Sequence, residues 1–252
     1  MKGYLRYAIF SYQLYRIMKF KCIIFLIISL LYAVVANSQQ AGKTIQVNIN
    51  KLFNARPVTT VTDGKLQSWV IGIDGGGKGD GYLTMAAALL NGDKTPHALA
   101  DDPLIPANPS HPTILLHYKN GDKGNQTRNI AGADSFSFEV PHEKYSGFYL
   151  SLTSSEGESQ LNITLTYADG YEIKDFTVPD YYNDIPEGDA NLSYAVHDLA
   201  KWGHGNKMTE SDHHNIDVLN IHPDRKRTLK RVTVKKEKAG YLVFCAATGV
   251  TE

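Results

Sequence analysis

Cysteine is close to absent from this chain, which has only Cys22 and Cys245. Cys22 lies in an N-terminal apolar run, so removal of that run would leave one thiol, and one thiol cannot make an internal disulfide. Stability must then come from a packed core. Cys245 sits in the apolar stretch Tyr241 to Ala247 with no histidine beside it, which reads as a buried small hydrophobe and not as a nucleophile. Net charge is also missing, since Lys+Arg and Asp+Glu both number 26. Without a field to hold a phosphodiester backbone, a nucleic-acid partner is excluded as a first expectation.

Diagnostic catalytic motifs are lacking as well. No G-x-S-x-G elbow and no HExxH pair occurs, and the glycine-rich loop from Ile73 to Gly81 lacks the Lys-Ser/Thr ending of a P-loop. Helix signals are scarce, with one short candidate from Leu83 to Leu90. No internal repeat stands out.

There is one long hydrophobic run, Ile23 to Val35. It follows Lys19 and Lys21 and ends in Ala36, Asn37 and Ser38, the charged, apolar and small-residue order of a cleaved export signal. The run is short for a membrane span. Residues 1–38 are therefore expected to be a signal peptide, with no stable membrane span after its removal, and residues 39–252 a periplasmic or secreted domain.

What the chain has in quantity is short alternating segments separated by Gly, Asp, Asn and Pro. Ile45, Val47 and Ile49 alternate with polar neighbours, as do Phe136, Phe138 and Val140, and Leu161, Ile163, Leu165 and Tyr167. A two-residue period places each set on one face of a half-buried strand. Ala168, Asp169 and Gly170 supply a tight turn, with Tyr171 to Val178 as the returning partner. Leu229 to Val234 and Tyr241 to Ala247 read as closing strands. The fold class is all-β: a single antiparallel jelly-roll-like β-sandwich with long functional loops. Three irregular segments remain, Gly92 to Pro112, Lys119 to Asp134 and Pro179 to Asp212, and long loops in a compact domain usually carry function.

The order of motifs resembles the galactose-binding-like β-sandwich modules appended to carbohydrate-active enzymes. The residues that carry the resemblance are Ile73, Asp74, Gly75, Gly77 and Tyr82 leading into Met85 to Leu89, then Thr166, Tyr167, Asp169 and Gly170, the Asp180, Tyr181, Tyr182 corner, the strand Ile216 to Ile221 with Pro223, Asp224 and Lys226, and the final strand ending at Val250. The resemblance implies a jelly-roll-like sandwich and carbohydrate contact. Fold alone does not settle function.

The chain departs from those modules in the stretch Asn191 to Pro223, which holds His197, His204, His213, His214 and His222 out of nine histidines in all. Histidine exchanges protons near neutral pH, and tyrosine supplies a matching acid or base. Elimination from an acidic sugar needs a base, a group to neutralise the carboxylate and an acid for the departing oxygen. The candidate catalytic residues are His197, His213, His214, Tyr182 and Tyr194. Candidate substrate-binding residues are Trp202, Asn183, Lys201, Lys207 and Arg128. Trp202 is expected to be an exposed stacking surface, and Trp69 to be core.

Two adjacent histidines on a strand point to opposite faces, so His213 and His214 cannot both hold one tetrahedral metal on a regular backbone. No cofactor is required by this reading. Asp74 and Asp80 are candidate ligands of a structural Ca²⁺, through hard carboxylate oxygens. The sequence thus points to an exported enzyme acting on acidic oligo- or polysaccharide by β-elimination, as a lyase or dehydratase. The alternative is a noncatalytic carbohydrate-binding module.

Overall fold

The two-residue period of the sequence becomes strand wherever one face finds a core. The structure, a computed structural model, describes residues 42–74, 79–94 and 96–251, so the expected signal peptide lies outside the described residues. Along the chain the strands are β1 (Thr44–Gln46), β2 (Val58–Thr62), β3 (Lys65–Gln67), β4 (Tyr82–Leu83), β5 (Leu104–Ile105), β6 (Ile114–Leu115), β7 (Arg128–Ala131), β8 (Asp134–Glu143), β9 (Tyr145–Ser155), β10 (Ser159–Tyr167), β11 (Gly170–Val178), β12 (Leu192–Trp202), β13 (Met208–Asn220), β14 (Leu229–Lys236) and β15 (Tyr241–Thr251). A single α-helix among the described residues, α1 (Met85–Leu90), follows β4. Its first turn is capped by Thr84, whose hydroxyl accepts from the Ala87 N–H at 3.3 Å. No helix among the described residues is long and apolar enough to cross a membrane.

The fold is all-β, with two antiparallel sheets packed face to face. One has the order β1-β15-β9-β13-β12, with β7 also paired to β15; the other has the order β11-β10-β14-β8. Between them lies the larger core. Phe136 and Phe138 from β8, Leu161, Ile163 and Leu165 from β10, and Val232 and Val234 from β14 meet Phe148, Leu150 and Leu152 from β9 and Leu242 and Phe244 from β15. Phe244 stacks on Phe136 at 4.9 Å and on Phe138 at 5.4 Å between ring centroids, and such pairs contribute about 0.5–1.5 kcal/mol beyond area burial. The expected hairpin forms with Tyr167 opposite Gly170, whose φ of 140° only glycine takes readily.

The six-stranded sheet is covered on its other face too. Ile216, Val218, Val243 and Cys245 pack there against Ile73, Tyr82, Leu99, Ile114, Leu116 and Tyr118, from the segment that precedes β7. A strand apolar on both faces has no reason to alternate. This is why β15 reads as one unbroken apolar run, and Cys245 and Trp69 are buried as expected.

The principal correction concerns residues 179–212. This stretch is not one long loop: β12, Leu192–Trp202, runs through its middle and the start of β13 lies at its end. The histidine-rich segment is an irregular β-hairpin at the edge of the larger sheet.

Candidate functional site

Pairing of β12 with β13 begins regularly, with Leu192 opposite Leu219, and then slips repeatedly from Tyr194 onward, including between Val196 and Leu199. Two non-glycine residues flank the slip in the left-handed region, Asp198 at φ 64° and His213 at φ 70°. Asp is among the residues that tolerate this conformation when its short side chain bonds locally. Here the His213 N–H donates to Asp198 Oδ1 at 3.0 Å, and the Asp198 N–H donates to Asn215 Oδ1 at 3.1 Å. The bulge is thus held by side-chain bonds, and it re-aims the neighbouring side chains.

The corner at residues 180–183 is fastened over this hairpin. The Tyr181 N–H donates to the Ser154 carbonyl at 2.7 Å, and the Asn215 N–H donates to the Tyr181 carbonyl at 2.9 Å. Asp180 accepts from the N–H groups of Gly157 and Tyr182, which orders the turn that carries Tyr182.

Beneath the corner lies a charged network. Lys201 Nζ sits 2.9 Å from Glu210 Oε1, 3.4 Å from Asp74 Oδ2 and 4.0 Å from Asp80 Oδ2, and it donates to the Tyr181 hydroxyl at 3.1 Å. Burial pulls the Lys201 pKa down, but the Glu210 hydrogen bond and the surrounding carboxylates outweigh it, so the net shift is upward. Tyr181 is pushed far above the usual phenol range, chiefly by burial and then by Asp74. Glycine is required at position 79, because a Cβ there would lie 1.7 Å from Asp74 Oδ1.

His214 is fully buried beside this network, its ring 4.9 Å from that of Tyr181. Its Nδ1 lies 2.8 Å from the Leu199 carbonyl, which can only accept, so Nδ1 carries the proton. Burial holds the ring's pKa below the ordinary value, and in the neutral ring Nε2 is an acceptor. Glu210 Oε2 stands 3.2 Å from Nε2, yet no hydrogen bond closes between the two acceptors.

The outer surface of the hairpin is different. Tyr182 is about half exposed, with His213 and His214 in T-shaped contact with it at 6.0 and 5.4 Å between centroids. Asn183 and Asp184 are exposed beside it. His197 packs on Tyr194 at 4.5 Å, with Nε2 3.5 Å from Asp184 Oδ1, and the Tyr194 hydroxyl donates to Asp184 while accepting from the Ile185 N–H.

Several expectations need correction. Trp202 is not an exposed stacking surface: it is fully buried, and its Nε1 donates to Asp93 Oδ2 at 3.1 Å. Arg128 lies on β7, four strand steps from β12, or about 19 Å at about 4.8 Å per step, and it pairs with Asp134 instead. Lys201 cannot neutralise a substrate carboxylate while carboxylates of the chain already surround it. Lys207 is exposed just beyond the 3-10 turn His204–Asn206. Asp74 and Asp80 are engaged by groups of the chain itself. Asp74 Oδ1 accepts the Asp80 N–H, Asp74 Oδ2 faces Tyr181 and Lys201, and Asp80 Oδ2 accepts from Thr209, so the cation they meet is an ammonium.

His213 is exposed and His214 fully buried, yet both rings border Tyr182, because His213 takes a left-handed φ of 70° and strand alternation does not hold there. His197 packs instead on Tyr194, with Asp184 beside it. The residues that sequence reasoning missed are Glu210 and His97. A lysine inside the otherwise apolar run Leu199 to Trp202 was the available signal for Glu210, because a buried ammonium demands carboxylates from elsewhere.

No protein-family model matches the chain, and no curated protein matches it. Among solved structures, the crystal structure of a carbohydrate-binding module specific for non-crystalline cellulose overlaps 54% of this chain and 76% of its own, at 9% identity and a TM-score of 0.27. Overlap that slight assigns neither fold nor ligand.

Proposed function

We propose that this chain is an exported saccharide-binding β-sandwich whose contact surface is the outer face of the β12–β13 hairpin and the Tyr182 corner. The observation that carries the reading is Tyr182, a ring about half exposed and held by T-shaped contacts with His213 and His214. A pyranose ring packs its C–H face on such a surface, while its hydroxyls take planar hydrogen-bonding groups at the rim. Asn183, Asp184, His197 and Asp212 supply those groups.

Charge favours a neutral sugar over the acidic one expected from the supply of histidine and tyrosine. Asp184, Asp198 and Asp212 have only imidazoles as ion-pair partners among the described residues, and Lys201 is already committed to its own carboxylates. A uronate would meet like charge there. Elimination by histidine and tyrosine is the second reading, and the His214–Glu210 contact over Tyr181 is what favours it. The His214 and Tyr181 rings of that contact lie beneath the surface that a sugar would reach.

The test is calorimetric titration of neutral and uronate-containing oligosaccharides into the wild type and Tyr182→Ala. Neutral oligosaccharide should bind, and the variant should lose at least about 1 kcal/mol of binding free energy, as expected for an anchoring aromatic. Binding undiminished in Tyr182→Ala would overturn the reading. Consumption of a uronate with a new conjugated double bond would replace binding by elimination.

A further inference from the structure

We propose that Asp198, Asp212 and His213 form a binding site for a divalent transition-metal ion, with His97 holding Asp198 in place. One donor atom of each of the three residues lies within 4.8 Å of the others, so small side-chain rotations bring them around a single ion. One imidazole nitrogen with two carboxylate oxygens is a donor set that Zn²⁺, Co²⁺, Ni²⁺ and Mn²⁺ accept. Three protein donors are too few for a Ca²⁺ cage of six to eight oxygens, and the absence of sulfur disfavours Cu(I).

The charge of the cluster points the same way. Elsewhere on this hairpin a carboxylate cluster is answered by an ammonium, as Asp74 and Glu210 are by Lys201. Asp198 and Asp212 have no lysine or arginine ion-pair partner among the described residues; His97 and His213 stand there instead. The negative charge of the two carboxylates thus has no ammonium or guanidinium among the described residues to meet it.

His97 completes the arrangement from outside. Its Nδ1 is 3.3 Å from Asp198 Oδ2 and 3.1 Å from the Asp198 carbonyl. A histidine bonded to a ligating carboxylate orients it, and loss of such a partner typically weakens metal affinity. The bulge contributes as well, because Asp198 and His213 are tied to each other through the backbone before any ion arrives. Tyr182 borders the cluster through His213, but the site does not depend on a saccharide.

Co²⁺ alone is the probe. The full chain, stripped of metal with a chelator, is titrated with Co²⁺ by calorimetry and by visible absorption, alongside Asp212→Asn, His213→Ala and His142→Ala. His142 is exposed on β8 and serves as a remote histidine control. One Co²⁺ should bind per chain, Asp212→Asn and His213→Ala should each weaken it at least about tenfold, and His142→Ala should leave it unchanged. Asp212→Asn replaces a partly exposed side chain with its isostere, so a folded variant is expected even where His213→Ala is strained. No stoichiometric binding to the wild type would overturn the proposal, as would binding undiminished in Asp212→Asn or lost in His142→Ala.

Discussion

His213 and His214 are consecutive on β13, yet the first ring stands in solvent and the second is fully buried against Tyr181. The difference shows in titration. Burial lowers the folded-state pKa of His214, so the unfolded chain takes up the proton more readily than the folded one as pH drops. Its contribution to stability is therefore present above the unfolded value of about 6.5 and is lost as pH falls below it. Nitrogen NMR should find the His214 ring neutral with its proton on Nδ1 at pH 7, and an imidazolium signal at that pH would contradict the assignment.

Lys201 binds three parts of the chain together, because Asp74 precedes β4, Glu210 lies on β13 and Tyr181 sits in the corner. Removing one partner of a buried ion pair leaves charge without compensation, at a cost of roughly 3–5 kcal/mol. Lys201→Met should thus lower the unfolding free energy by about 3 kcal/mol in urea denaturation. A loss below about 0.5 kcal/mol would mean that solvent screens the network.

Asp217 is almost wholly buried on β13 and its Oδ1 has no hydrogen-bond partner. Burial raises its pKa from 3.8 to about 7. A raised carboxyl favours the folded state when protonated, so stability falls as pH rises from about 4 towards 7 and is then level. The whole effect is on the order of 4 kcal/mol at about 1.4 kcal/mol per pKa unit. Asp217→Asn should melt higher than the wild type at pH 8 and should flatten this slope; equal melting at pH 8 would refute the burial argument.

Cys245 is buried on β15, and its thiol is pushed up to about 12 by burial. Only thiolate attacks a disulfide reagent. In a Cys22→Ser background the native protein should react at pH 8 orders of magnitude more slowly than the protein in guanidinium, as followed by thionitrobenzoate release. Equal rates would place the thiol at the surface.

Legibility in the sequence followed from how many faces a strand buries. β8 and β10 bury one face, so Phe136 to Val140 and Leu161 to Tyr167 declare themselves by alternation. The glycine at 170 marks its turn because the backbone there needs positive φ. β12 could not be read in this way. Its alternation breaks at Asp198, where the register slips, and its outward side chains are polar and aromatic by turns. Within the site, the placing of His213 and His214 did not follow from regular strand geometry, because His213 takes positive φ and both rings border Tyr182. Nor did the burial of Trp202, because its neighbours in space, Leu83, Ala87 and Ala88, lie over a hundred residues away in the chain. Nothing local announces such a contact.

The slip at Asp198 has a consequence for self-association. β12 is the last strand of its sheet, and an unpaired strand edge invites another chain to add to it. Part of that edge is occupied, since the Ala200 N–H donates to the His97 carbonyl at 2.7 Å and Trp202 exchanges backbone bonds with Gly81. Just before this covered portion, Asp198 turns the backbone out of the extended conformation and places a charge on it. An incoming strand would lose its ladder at that point, so the feature that gathers the polar side chains also blunts the edge against aggregation.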